Sequence, residues 1–359
     1  VATAKKSGRR KGRATTIDEV ATLANVSPMT VSRVINGNGN VRDTTRERVM
    51  QAVEKLGYTP NLAASSLAAA KTARIALIYT NPSAAYLREL LVGALRGTAQ
   101  TAVQLVIEAW DDLSAEGKRS SARTLAKSVA GVILPPPLCE SKTVVTELVN
   151  AGIPVVSIAS GWSSEAISRV RIDDFRAGKE ITEQLIAQGH TRIGHIKGHP
   201  NLSASARRFE GFQAALDEAG LKLDKTLVQQ GYFTYRSGLE AAEKLLARKR
   251  PPSAIFAAND DMAAAVVSVA HRQGLDVPGD LSVVGFDDTS AATTVWPELT
   301  TVHQPIASMA ESAIDILMRN IGRKDNEVRT VVDHVVGHTL VKRDSVAKPR
   351  AAGKRSADD

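Results

Sequence analysis

Apolar positions recur at helical spacing from Thr16 onward. Thr16-Ile-Asp-Glu19 has the form of a capping box, with Thr16 as N-cap and Glu19 at the third helical position. Val20, Leu23 and Ala24 then share one face. A second start follows Asn25 and Val26, with Ser27 as N-cap and Pro28 in the first helical position. This helix runs to about Asn36 and turns Val31, Val34 and Ile35 inward, until Gly37-Asn-Gly-Asn40 breaks the chain. A third helix begins at Asp43 or Thr44 and buries Val49, Val53 and Leu56 before Gly57 stops it. Two short helices joined by a tight turn, with a third behind them, make a helix-turn-helix. On pattern alone the same helices could form a protein-binding bundle.

Beyond residue 60 the pattern changes twice. Asn61 to Ala68 holds good helix formers for only about two turns, below the ~12 residues at which an isolated helix is stable. It should fray alone and fold when supported; a plain connector is the other reading. Short apolar runs then alternate with helical stretches. Strands are predicted at Arg74–Tyr79, Gln104–Glu108, Gly131–Leu134 and Pro154–Ile158. A second set begins near Val170, with strands at Arg192–Ile196, Ala254–Ala257 and Ser282–Phe286 and helices over 176–188, 206–219, 236–247 and 260–273. Alternation of this kind gives parallel sheets covered on both faces. Two sets make two doubly wound lobes, with ligands beyond the carboxyl ends of the strands.

Composition narrows the class. Hydrophobic residues at 43% and charged residues at 23% are those of a soluble globular protein. The longest apolar stretch, around Met262 to Val267, is far short of the ~20 residues that span a bilayer, so no membrane partner is expected. One cysteine, Cys139, excludes an internal disulfide and fits a reducing compartment. The first residues lead into a basic run rather than an apolar core, and a cytoplasmic location is expected.

Charge matters by its placement. Of the net +8, residues 1–72 carry +7, residues 341–359 carry +3, and the long middle is −2. A basic head on a nearly neutral body is the footprint of a nucleic-acid binder. The run from Lys5 to Arg13 alone would equally suit a solvated tail. In a helix-turn-helix the second helix enters the major groove. Its exposed face here carries Pro28, Met29, Ser32 and Arg33. Arg33 can donate two hydrogen bonds to guanine, a contact that discriminates by about 1–3 kcal/mol. Met29 and Pro28 offer apolar contact, for example to a thymine methyl. Thr16, Thr30, Asn36, Asn40 and Asn61 are the types that hold phosphates.

The stretch Ile17-Asp-Glu-Val-Ala-Thr-Leu-Ala-Asn-Val-Ser-Pro-Met-Thr-Val-Ser-Arg-Val-Ile-Asn36 resembles the head of the lactose-repressor (LacI) family. So do Thr45-Arg-Glu-Arg-Val49 and Leu56-Gly-Tyr-Thr-Pro-Asn61, and the resemblance continues to about Val341. It implies an all-α helix-turn-helix head on an α/β body like a periplasmic sugar-binding protein. The expected division is a disordered basic tail over 1–15, the DNA-binding head over 16–60, and a hinge helix and linker over 61–73. A two-lobed effector-binding and dimerisation domain follows over 74–341, then a disordered tail over 342–359. The resemblance further implies a homodimer on pseudo-palindromic double-stranded operator DNA at the nucleoid. Leu67 would wedge into the minor groove from the hinge.

An effector would sit between the lobes, a carbohydrate first, with a nucleobase, nucleoside or partner protein as alternatives. Arg208, in Arg208-Phe-Glu-Gly-Phe212, falls where the family's arginine contacts the effector, and Phe233 where relatives keep an aromatic. Asn259 and Asp287 end predicted strands and could bond sugar hydroxyls; helix capping is the competing role. A surface ion pair competes for Arg208. Tyr79, Asn81 and Tyr86 are first-lobe candidates, and Gln304 lies near a crossover. Ala159 stands where many relatives end a strand in aspartate.

His190, His195 and His199 suggest a metal trio, but they fall on a helix end, a strand and a loop, and their spacing fits no common zinc pattern. No nucleophile-elbow, phosphate-loop or dinucleotide motif appears, so neither an enzyme nor a cofactor is expected. The C-terminal tail has no leucine heptad, which points to a dimer rather than a tail-assembled tetramer.

Overall fold

A computed structural model describes residues 16–35, 41–56, 73–80, 83–99, 101–162, 165–321 and 330–350. The chain divides into two compact units, with the break between Thr72 and Ala73. In the first unit, α1 (Ile17–Ala24), α2 (Pro28–Ile35) and α3 (Asp43–Leu56) pack around Val20, Ala24, Val31, Val34, Val49 and Ala52. The capping box at α1 is closed in both directions: Glu19 N donates to Thr16 Oγ1 at 3.4 Å, and Thr16 N donates to Glu19 Oε2 at 2.9 Å. Asn25 ends the helix in the left-handed region at φ 51°, which asparagine tolerates. Leu23, expected inward with Val20, is 45% exposed, because Val20 and Ala24 already fill the contact with α3.

The second unit is two parallel sheets. The first lobe is six-stranded, ordered β11-β5-β4-β3-β1-β2, from β1 (Ala73–Tyr79), β2 (Val103–Ala109), β3 (Gly131–Leu134), β4 (Val155–Ile158), β5 (Ser168–Arg171) and β11 (Asp333–Val335). Side chains alternate across it. Ile75, Leu77 and Ile133 face α4 (Ala84–Thr98) and α12 (Ile306–Asn320). Ala76, Ile78, Val132 and Leu134 join the opposite core, with residues of α5 (Ala115–Leu125) and α6 (Lys142–Asn150). The second lobe orders β7-β6-β8-β9, from β6 (Ile193–Lys197), β7 (Val228–Gln230), β8 (Ala254–Ala257) and β9 (Ser282–Val284). Its helices are α7 (Asp174–Ala187), α8 (Ser203–Glu218), α9 (Tyr235–Leu246), α10 (Asp260–Arg272) and the short α11 (Ser290–Thr294). A two-stranded antiparallel pair, β10 (Thr301–His303) and β12 (Thr339–Val341), completes it.

Two boundaries differ from the sequence reading. The strand at Val170 closes the first sheet rather than opening the second, pairing with β4 and with β11 from far along the chain. Asp333 on β11 fixes that pairing, accepting from Arg169 at 2.6 Å and Arg171 at 3.0 Å. Among the described residues the chain therefore crosses between lobes three times, after β5, β10 and β11. Residues 342–350, expected in the disordered tail, are packed on the second lobe. Val283 N donates to Ser345 O, and the fully buried Ser345 hydroxyl lies between Thr300 N (2.9 Å) and Val283 O (2.5 Å). Backbone pairing against a sheet edge holds this segment, a bond that polar composition does not reveal.

Candidate effector cleft and DNA-reading face

Two pairs of glycines and aromatics build the second-lobe wall of a cleft between the lobes. Helices α7 and α8 touch backbone to backbone: a Cβ at Gly211 would lie 2.1 Å from Phe175 O, and one at Gly178 2.5 Å from Arg208 O. That approach sets Arg208 on α8 against Asp174 on α7. The guanidinium is 4% exposed; its Nε donates to Asp174 Oδ1 at 2.8 Å and a terminal nitrogen donates to Ala258 O at 2.6 Å. The same nitrogen is 3.6 Å from Asp287, and the group stacks 3.5 Å over the Phe286 ring. Burial pushes the Asp287 carboxyl well above the usual range, with Arg208 pulling it back and Asp260, Asp261 and Asp174 pushing it further. Burial also raises Asp174, again against Arg208. Phe233 lies directly over Gly198, where a Cβ would fall 1.9 Å from its ring. Its backbone sits at φ 61°, and its carbonyl accepts from Asn259 Nδ2 at 3.1 Å.

The cleft contains about 560 Å³ of empty space, its open mouth included. Arg208, Phe233, Asn259, Asp287, His199 and Tyr232 line the second-lobe side, and Tyr86, Pro136, Pro137 and Ala159 the first-lobe side. The polar groups thus belong mainly to one lobe. Ala159, at φ 56°, lines the first wall, where it offers a methyl group and no carboxylate. The Tyr86 hydroxyl is buried with no hydrogen-bond partner among the described residues. Burial, with Asp287 adding to it, raises its pKa well above that of a free phenol.

Several candidates lie elsewhere or carry other duties. Asn259 lines the cleft, yet its Oδ1 accepts from Met262 N at 3.1 Å as the N-cap of α10, the capping role weighed against it. Gln304 is buried behind Asp287, donating to its Oδ1 at 3.0 Å, and is not in the wall. Tyr79 packs half-buried at the end of β1, outside the cleft lining, because its ring joins the first-lobe core. Asn81 lies outside the described residues. Arg208 is a buried ion pair rather than a surface one. His199 and Tyr232 were missed, although both follow strands of the second sheet at its carboxyl end, the rule that found Asn259. The other two histidines lie apart: His190 bonds Ser253, Ser282 and Ala347 O, and His195 stacks on Phe209 and Phe212. Burial lowers the His195 pKa to about 3, so it is a neutral core ring.

On the head, α2 presents Pro28, Met29 (65% exposed) and Arg33 to solvent. Thr30 is half-buried, its hydroxyl 2.9 Å from that of Ser27, and Thr16 is engaged as the α1 cap. The Ser32 side chain lies outside the described residues, as do Asn36, Asn40, Asn61 and Leu67.

Residues 16–61 match the bacterial regulatory proteins of the lacI family, and residues 182–346 match a periplasmic binding protein-like domain. Catabolite control protein A of Priestia megaterium is 35% identical over 310 residues, covering 86% of this chain and 93% of its own. The chain belongs to the LacI family of bacterial regulators. It is a DNA-binding transcriptional regulator, not an enzyme. The transcriptional repressor PurR of Escherichia fergusonii is similar to this LacI-family chain at 35% identity, over 92% of this chain and 97% of that one. Among solved structures, a complex of the transcriptional regulator CelR with cellobiose superposes with a TM-score of 0.70 at 33% identity, over 92% of this chain and 99% of that one. Among the described residues no helix is long and apolar enough to cross a membrane.

Proposed function

We propose that this LacI-family regulator is a repressor whose operator binding responds to a small carbohydrate held between the lobes. One observation carries the proposal: a buried guanidinium and carboxylate, Arg208 and Asp287, face the cleft beside the Phe233 ring. Paired charges can bond vicinal hydroxyls, and a ring supplies the apolar platform that a sugar face needs. The cellobiose bound by the similar CelR supports the same class of ligand. The uncharged first-lobe wall of Ser83, Tyr86, Pro136 and Pro137 favours a second reading, a nucleobase or nucleoside stacked against Phe233.

In the proposed mechanism the chain acts in the cytoplasm as a dimer, each head placing α2 in a major groove of a pseudo-palindrome. Arg33 reads a guanine, Pro28 and Met29 make apolar contacts, and Ser32 faces the base edges. Thr16, Thr30, Asn36, Asn40 and Asn61 hold phosphates, and Leu67 wedges the minor groove. Thermal unfolding against a panel of sugars, sugar phosphates, nucleobases and nucleosides tests the ligand class. A true effector at 100 times its Kd stabilises the body by about 2.7 kcal/mol. A stabilising sugar is expected. Silence across all sugars with a nucleobase response would replace the first reading with the second.

A further inference from the structure

The two lobes repeat one strand order, β4-β3-β1-β2 in the first and β9-β8-β6-β7 in the second. The helix after the central strand β1 starts at Ser83, and the helix after its counterpart β6 starts with Ser203. The strands β3 and β8 also correspond, and each is followed by a carboxylate, Glu140 and Asp261. These four residues pair across the lobes. Ser203 donates its hydroxyl to Glu140 Oε1, while Gly161 N, from the first lobe, donates to Ser203 Oγ at 2.6 Å and to Glu140 Oε1 at 3.3 Å. On the other side Ser83 caps α4, accepting from Tyr86 N at 3.3 Å, and Asp261 of the second lobe lines the same opening as Ala84, the first residue of that helix, its carboxyl pushed up by burial and held back by the Ser83 hydroxyl. Each lobe thus offers one carboxylate to a serine at a helix start of the other. Two such helix starts also favour negative charge by their dipoles.

A third observation marks the contact point. Gly161 needs no left-handed backbone, but a Cβ there would lie 2.6 Å from Ser203 Oγ and 2.7 Å from Ser203 Cβ. The glycine is required by the opposite lobe and not by its own.

We infer that Glu140–Ser203 and Asp261–Ser83 form a reciprocal clasp that sets the balance between open and closed cleft, with Gly161 as the seat on which the lobes meet. Rigid lobes sharing three crossovers must make or break both contacts together. The clasp therefore tunes how readily the cleft closes over whatever it holds. In that respect it rests on the cleft being the effector site.

Distance measurement between spin labels tests this without any ligand. Cys139, the sole cysteine, is buried, so labels go selectively on cysteines introduced at the exposed positions Glu116 and Arg236, in the first turns of α5 and α9. The full chain should show a closed distance whose share falls when Glu140→Ala and Asp261→Ala are combined. Each lost contact should lower the closed-to-open ratio about fivefold, matching about 1 kcal/mol for one hydrogen bond. Gly161→Ala should shift the same distance with an unchanged thermal midpoint, since it clashes only across the lobes. Glu140→Gln, which keeps an acceptor for Ser203, should restore most of the closed share. A distribution that the double replacement leaves unchanged overturns the clasp. A shift in distance together with silence across the sugar panel would retain the clasp and reject the carbohydrate.

Discussion

At the residue scale, the useful signal was position at the end of a parallel strand. It places Asn259 and Asp287 at the cleft, and the same rule also places His199, which follows β6. Duties were less legible than places. Whether Asn259 caps a helix or greets a ligand depends on where Phe233 O falls, which lies 26 residues away in the chain. Gln304 looked like a lining residue and instead sits behind one. Arg33, exposed on α2, supports a direct prediction: Arg33→Ala should relax base preference at one position per half-site in sequences selected from a random pool, and unchanged preferences would remove it from the reading face.

Asp260 gives a second residue-scale test. Burial raises its pKa to about 7, against hydrogen bonds from Thr301 and Thr289 and with Asp288 adding to the rise. An unfolded aspartate titrates near 3.9, so the native state holds the proton more tightly. Its contribution to stability is full below about pH 4 and is lost as pH rises through about 7. Asp260→Asn, neutral throughout, should flatten the decline in urea-unfolding stability between pH 4 and 7. An identical slope in both proteins would mean that Asp260 titrates normally.

At the scale of elements, capped helices and doubly buried strands were readable because their signals are local. The capping box, Pro28 and the apolar runs of β1, β3 and β8 need no distant partner to be recognised. The strands β11 and β12 gave no such signal. Asp333-His334-Val335 is polar and exposed, and becomes a strand only because Arg169 and Arg171 meet Asp333 from more than 160 residues away. Residues 342–350 were hidden for the same reason, since a basic run reads as solvated while its backbone completes the edge of β9. Ser345→Ala would leave Thr300 N and Val283 O without their side-chain partner. It should destabilise the body by about 1–3 kcal/mol in denaturant titration. Wild-type stability in that variant would show the segment to be dispensable.

At the scale of the whole molecule, the sequence carried the architecture almost entirely: a basic three-helix head, then alternating strands and helices in two sets. What it missed was the return of the chain, with α12 and β11 completing the first lobe after the second has formed. That weave joins the lobes at three crossovers and places a cleft between walls of unlike character, one carrying charged groups and one without them. Such a cleft can change the relation of the lobes only if the ligand interacts differently with the open and closed forms.

The measurement that tests the central claim most directly is titration of a selected operator fragment with the full chain, with and without the carbohydrate that stabilises it. Operator affinity should change by about 5- to 150-fold at saturating sugar, the usual range of coupling between two sites. Arg208→Ala should bind the operator as tightly as the wild type and ignore the sugar. Tight operator binding that no carbohydrate alters would contradict the account.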